Sequence, residues 1–414
     1  MTGVSLRGAL LMQADGPARA PLHMAGDRIV AAPMENAPAI DLAGHLIFPG
    51  LINAHDHLQR NAIPPMRSGG PFPNSYAWAE GFGAHFRDPE VAAAVALPAA
   101  IRAWQGGLKN LLAGATTVAH HDPWDAAFDD PNFPVRLLRR FGWSHSLGQA
   151  PHDGLPGKLF DRLAGLLGAA APFGPPVVEG FRATPAGAPF MIHLAEGTDA
   201  IARGELARLE ALGCLAANTV IVHGVGLSRD DVDRILARGA GVVWCPSSNL
   251  ALLGATLAPR RLFEAGRLAL GTDSRLSGAR DLLDELGGAA ARGELSPAEL
   301  LRLATVDAAR LLAMPEVGGL APGQRADAVI VKDDGRDDFR NLAARLTSCR
   351  RADLRAVLRD GRPAIADPDL AGWFDAAGVE AVSVTLDGRP KLLARAFARQ
   401  GAIAIEPGLA PGPG

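Results

Sequence analysis

FMIHLAEGTDAIARGELARLEALGCLAANTVIVHGVGLSRDDVDRILARGAGVVW, residues 190–244, decides the fold. Three short apolar runs, FMIHLAE, TVIVHG and GVVWCP, alternate with two longer amphipathic stretches, GELARLEALG and RDDVDRILARG. Strand, helix, strand, helix in strict alternation implies parallel strands covered by helices, because a parallel pair needs a crossover between its members. Outward from this core, LINAHD and TTVAHHD precede and LALGTD follows, with helical stretches EVAAAVALPAAIRAWQGGLKNLLAGA, RRLFEAG and SPAELLRLATVDAARLLAM between and after them. The expectation is an α/β chain with a (β/α)8 TIM barrel over residues 51–318, which suits the length better than an open sheet.

The flanks read differently. Residues 1–50 give short strands, LRGALLM, PLHMAGDRIVAA and HLIFPG, broken by Gly turns, and residues 319–365 give a matching set, GGLAPGQRADAVIVKD and LRAVLRDGRPA. Each half is too small to bury a core alone. The two together predict one small β-sandwich built from both chain ends. Residues 366–414 form a C-terminal extension with a strand at VSVTLDG, a helix at KLLARAFARQ and a disordered tail at EPGLAPGPG.

With 41 basic and 44 acidic side chains the net charge is −3, so no general field gathers a polyanion, and nucleic-acid binding is disfavoured. Apolar residues make up 48% of the chain, but no run approaches the roughly 20 residues of a membrane span. The N-terminus makes a poor secretory signal, and a cytoplasmic protein without membrane contact is expected. Three cysteines, Cys214, Cys245 and Cys349, with no CxxC pair, argue for reduced thiols.

The polar residues of interest sit at the C-terminal ends of the strands, the face on which barrel active sites are built. His55 and His57, two apart on LINAHDH, point to one side of a strand and can grip one cation. His193 ends the next motif, with Glu196 three residues on, within reach of an attacking water as a proton shuttle or, on the blander reading, capping the following helix. Asp273 ends LALGT, and a buried carboxylate there needs a partner that a cation supplies. His223 ends TVIV and serves either as a direct ligand or as a hydrogen-bond donor to the attacking water. Imidazole with carboxylate suits one divalent ion, zinc first and iron second.

The ordered set PGLINAHDH, HLAEG, VHG, WCPSSNLALLG and ALGTDS, framed by the split β module, resembles the amidohydrolase superfamily, in its branch of cytosine, guanine and S-adenosylhomocysteine deaminases and triazine chlorohydrolases. The resemblance covers about residues 20–365. It implies a mononuclear site: His55, His57, His193 and Asp273 as ligands, Glu196 as shuttle and His223 on the attacking water. Relatives with two metals carry a bridging lysine on the fourth strand; the candidate here, GWSHSLGQ, has none. A homodimer is the family-level expectation.

Substrate contacts are sought in the loop after the first strand, LQRNAIPPMRSGGPFPNSYAWAEGF, which offers Gln59, Arg60, Arg67, Tyr76 and Trp78. Gln59 could read a heterocycle edge with its amide. His120, His121 and Asp122, at the end of what reads as the third strand, bind substrate through His121 or Asp122, or else orient a ligand; His145 and Ser274 are weaker candidates. Gly226 stands where adenine-compound deaminases of the branch carry a second histidine, which counts against that specificity. The leading function is an aminohydrolase of a small nitrogen heterocycle or amidine. The alternatives are hydrolysis of a cyclic or linear amide or of another C–N or C–halogen substituent by the same chemistry and, remotely, a non-catalytic barrel scaffold.

Overall fold

The computed structural model describes residues 3–13, 16–66, 70–148, 174–333, 335 and 339–412. Eight short strands form its centre: β1 (Leu51–Asp56), β2 (Ala115–His120), β3 (Arg136–Leu137), β4 (Gly142–Trp143), β5 (Phe190–Leu194), β6 (Thr219–His223), β7 (Gly241–Trp244) and β8 (Leu268–Leu270). They pair in the orders β3-β2-β1 and β4-β5-β6-β7-β8, and every rung is parallel. Just past β8, the amides of Thr272 and Asp273 both donate to the His55 carbonyl at 3.1 Å, tying β8 to β1. Helices lie between most of these strands in sequence, as in an α/β fold.

Side-chain alternation along the strands sorts two apolar layers. Met191, Val220, Val222, Val243 and Ala269 pack together on one face. Phe190, Ile192, Ile221, Val242, Trp244, Leu268 and Leu270 join the larger core on the other. Successive residues of a strand point to opposite faces, so His193 falls on the Met191 side. In β1 the ladder register shifts between Asn53 and Asp56; such an irregularity re-aims the following side chains, here His55 and His57.

The chain ends meet in a nine-stranded sheet ordered Leu409–Pro411, Ala381–Leu386, Arg389–Ala394, Arg362–Ala366, Ala356–Arg359, Ala328–Lys332, His45–Pro49, Leu10–Gln13, Gly16–Ala18. Antiparallel pairing of His45–Pro49 with Ala328–Lys332 is the seam. Its alternate residues again divide: Phe48, Val329 and Val331 join the central core, while Ile47 and Ile330 share a second cluster with Val4, Leu6, Leu22 and Met24 from a separate four-stranded sheet.

Several elements depart from the sequence reading. The long helix expected from residue 90 is two, Pro89–Ala96 and Ala99–Leu112, bent by 102°, because Pro98 cannot continue a helix. Among the described residues no single helix is long and apolar enough to cross a membrane. The helix expected over 296–314 divides into Pro297–Leu303 and Val306–Leu311, and the carbonyl of Ala304 at the break accepts from Ile52 N on β1 (2.7 Å). TTVA belongs to β2, not to a third strand, since no other strand separates it from β1. KLLARAFARQ is no single helix but strand over 391–394 and then the short 3₁₀ turn Arg395–Phe397: Asp387 and Gly388, both at positive φ, close a tight hairpin between Ala381–Leu386 and Arg389–Ala394, the geometry an Asp-Gly pair favours. The tail expected to be disordered contributes Leu409–Pro411 to the same sheet. Residues 75–85, read as loop, are helical, with Asn74 Oδ1 accepting from Ala77 N at the N-terminus.

Candidate metal centre

At the C-terminal ends of β1, β5 and β8, four side chains reach one point. His193 Nε2 is 3.2 Å from His57 Nε2 and 3.3 Å from His55 Nε2. Asp273 Oδ1 stands 3.5 Å from His57 Nε2 and 3.9 Å from His55 Nε2. All four residues are buried. The three imidazoles form a group able to hold one metal ion.

Their far nitrogens decide what the near ones present. His193 Nδ1 faces the backbone carbonyl of His145 at 2.8 Å; a carbonyl only accepts, so Nδ1 carries the proton and Nε2 a lone pair. His57 Nδ1 faces Asp122 Oδ2 at 3.1 Å, which turns its Nε2 toward the same point. Burial, reinforced by neighbouring imidazoles, holds His55 and His193 well below the usual histidine range, so neither ring brings its own positive charge. Three ring nitrogens turned to one point with a carboxylate beside them are a donor set that suits a divalent ion of the zinc type.

Asp273 is braced for the same task. Ser248 Oγ and Ser277 Oγ both donate to its Oδ2 at 2.6 Å, and Ser274 N donates to Oδ1 at 2.8 Å. Burial would raise its pKa, but His57, His223 and these hydroxyls hold it below the usual carboxylate value. Its backbone, like that of His223, takes a positive φ (55° and 74°), strain that non-glycine residues keep where the surroundings over-determine it. Gly271 allows the approach: a Cβ there would lie 2.8 Å from His55 Cβ and N.

Beside this cluster stand Glu196 and His223. His223 Nδ1 faces Asn249 Oδ1 at 2.8 Å, whose amide nitrogen is spent on Thr256 Oγ1 (3.0 Å). This fixes the amide so that Nδ1–H donates and Nε2 is bare. Nε2 lies 3.6 Å from Glu196 Oε1, outside the group of three imidazoles. Burial, opposed by His223 and aided by Asp273, raises the pKa of Glu196.

A small cavity opens onto these groups, lined among others by Tyr76, Trp78, His145, Ser146, Glu196 and Leu252. Trp78 therefore lies where a substrate contact was expected. Gln59, His121 and Asp122 do not line it, and each turns a polar atom to the protein. Gln59 donates to Pro123 O (3.3 Å), His121 Nε2 faces Ser144 O (3.1 Å), and Asp122 pairs with Arg60 while orienting His57. The orienting role is thus the one the geometry gives Asp122. His120 accepts from Leu58 N through Nδ1 (3.2 Å), and burial lowers its pKa to about 4. Arg67 lies outside the described residues. At Gly226 a Cβ would come within 2.9 Å of Gly197 O, so close packing itself demands glycine there.

The sequence reading missed the supports. Asp56, between the two histidines, is fully buried and receives Asn110 Nδ2 (2.7 Å), Asn61 Nδ2 (2.8 Å) and Lys109 Nζ (3.1 Å). Ser248 and Asn249 stand in WCPSSN, but their partners Asp273 and His223 were not read from it.

Residues 181–381 match the amidohydrolase family model. A 5-methylthioadenosine/S-adenosylhomocysteine deaminase of Pelotomaculum thermopropionicum is 30% identical over 202 residues, 42% of this chain and 45% of that protein. An 8-oxoguanine deaminase of Pseudomonas aeruginosa is 33% identical over 137 residues, 30% of each. The chain thus matches less than half the length of these curated relatives. Two solved structures share the fold: an atrazine chlorohydrolase of Arthrobacter aurescens complexed with zinc (TM-score 0.66, 22% identity, 90% of this chain and 99% of that one) and an adenosine deaminase of Xanthomonas campestris with bound zinc (0.66, 20%, 91% and 97%).

Proposed function

We propose, from the premise that residues 181–381 of this chain are an amidohydrolase-family segment, that the protein is a metal-dependent aminohydrolase of a small nitrogen heterocycle or amidine. The observation that carries this reading is the convergence of three imidazole nitrogens and Asp273 beside a protonatable Glu196. His55, His57, His193 and Asp273 would hold one divalent ion per subunit, zinc before iron. When bound, such an ion supplies Lewis-acid charge and lowers the pKa of water toward neutrality. Glu196 takes a proton from the attacking water and delivers it to the departing nitrogen; its raised pKa keeps it able to do both near neutral pH. His223, fixed by Asn249, offers Nε2 to hold the attacking group in line.

The finer architecture belongs to the same proposal. The eight strands make a closed barrel over 51–318, with a β-sandwich from 1–50 and 319–365 that residues 366–414 extend. The protein acts on a small molecule, away from nucleic acid and membrane, in the cytoplasm, as a homodimer.

Incubating zinc-loaded protein with purines, pyrimidines, pterins and triazines while measuring ammonia tests the reading. Release from at least one member is expected, and Asp273→Asn should abolish it together with metal retention; no release from any member counts against deamination. A second reading, loss of another C–N or C–halogen substituent, draws on the shared fold with the chlorohydrolase. Product mass separates the two, as it does ring opening, which adds water and frees no ammonia.

A further inference from the structure

Glu205 lies on the helix Ala200–Ala211, nine residues beyond Glu196, is 3% exposed, and has no part in the metal cluster. Both its oxygens are used. Oε2 accepts from Ala195 N at 2.6 Å, and Oε1 accepts from the Tyr76 hydroxyl at 2.6 Å. Ala195 is the residue before Glu196 and takes a positive φ of 53°, a conformation that costs an alanine energy unless its peptide groups are held. They are held on both sides, since Ala195 O accepts from Gly226 N at 2.7 Å. Tyr76, in turn, lines the cavity beside Glu196, and Ser146, another lining residue, hydrogen-bonds its hydroxyl. Next to it, Ser75 N donates to Glu196 O at 2.9 Å.

We propose that Glu205 is a positioning residue that locks the phenol of Tyr76 and the Ala195 turn into one unit, so that the substrate-facing wall of the cavity and the carboxyl of Glu196 keep a fixed mutual geometry. A carboxylate is the side chain that can do this, because it accepts two strong hydrogen bonds from opposite directions while an amide must offer a donor on one side. The part of this inference that concerns turnover rests on the aminohydrolase reading. The coupling of Tyr76 to Glu205 does not.

Tyr76 is the only tyrosine in the chain, so its ionisation is read without interference from another phenol. Burial first, and then the Glu205 carboxylate, push that phenol above its ordinary value of 10.0, against smaller opposing effects of the Ser146 hydrogen bond and of Arg208. Burial pushes Glu205 itself up to about 7, so it is ionised across the range in which a phenol titrates. Ultraviolet absorbance of tyrosinate against pH in the zinc-loaded protein is therefore expected to begin later than for a free phenol, and Glu205→Gln to shift it to lower pH. A wild-type phenol that titrates at its ordinary value, or one unmoved by Glu205→Gln, overturns the coupling, and neither result depends on knowing the substrate. In turnover, Glu205→Gln and Tyr76→Phe should each lower kcat by about 10- to 100-fold at retained zinc and little-changed KM, and the double variant should lose no more than the worse single one. Losses that multiply in the double variant, or that fall on KM alone, overturn the positioning role. If Glu205→Gln fails to fold by circular dichroism, the wild-type titration and the Tyr76→Phe kinetics decide: an ordinary phenol or an unchanged kcat sinks the proposal, and the opposite pair supports it.

Discussion

Three imidazoles at the centre face a partner that sets which nitrogen points inward, while His55 Nδ1 has no hydrogen-bond partner among the described residues. Asn249 commits the His223 proton to Nδ1, Asp122 draws His57 Nδ1, and the His145 carbonyl draws His193 Nδ1. What faces the centre is therefore the Nε2 atoms of these rings, with Glu196 as the nearby group whose raised pKa suits it to carry a proton. Glu196→Gln keeps the volume and removes the exchangeable proton; it should lower kcat by about 10²- to 10⁴-fold while zinc content, measured by elemental analysis, stays at the wild-type level. A loss of zinc in parallel with activity would instead make Glu196 a ligand. The histidines and Asp273 were legible because each ends an apolar run, which fixes both face and depth. Ser248, Asn249 and Ser277 were not, because a hydrogen-bond partner is chosen by elements far apart in the chain, and nothing in local pattern marks a serine as the one that touches a carboxylate.

At the scale of the element, the site is supported from beneath by the helix Ala99–Leu112. Lys109 on that helix is fully buried, and its ammonium meets Asp56 Oδ2 at 3.1 Å and Asn61 Oδ1 at 2.8 Å. Asn61 Oδ1 also accepts from Arg275 N at 2.9 Å, in the loop that follows Asp273. One buried cation thus braces the β1 end, the turn after it and the β8 loop together. Lys109→Met leaves Asp56 as a buried charge without its counter-ion, and removing one partner of such a pair costs about 3–5 kcal/mol; a markedly lower midpoint in chemical denaturation is expected, and an unchanged one would mean the amides of Asn53, Asn61 and Asn110 satisfy Asp56 unaided. The strands and their parallel order were readable from apolar runs separated by helical periodicity. The two-residue strand Arg136–Leu137 was not, since two residues carry no period, and the Arg389–Ala394 strand hid because its leucines also fit a helix while the Asp-Gly turn before it went unread.

For the whole molecule, the depth of burial that shapes the site also sets how stability responds to pH and metal. Zinc bound only by the folded chain stabilises it by about 2.7 kcal/mol at a free concentration one hundred times its Kd, so chelation should lower Tm and added zinc restore it; an unaltered Tm argues against a pre-arranged site. A separate contribution comes from Glu285, wholly buried on the helix Leu282–Arg292. Its Oε1 accepts from Ser247 N at 2.8 Å, while Oε2 has no hydrogen-bond partner among the described residues. Burial pushes its pKa from 4.5 up to about 8. The folded state then holds this proton more tightly than the unfolded chain, so the stability it brings is fully present below about pH 4.5 and is lost as pH rises through 8. The effect amounts to up to about 5 kcal/mol. Glu285→Gln keeps an acceptor for Ser247 N and cannot ionise. In zinc-saturated protein its Tm should fall less than that of the wild type between pH 6 and 9, two values chosen to bracket the titration of Glu285. Parallel curves for the two proteins across that interval would mean that Glu285 is ionised in the fold after all, with a counter-charge or water supplying what Oε2 lacks.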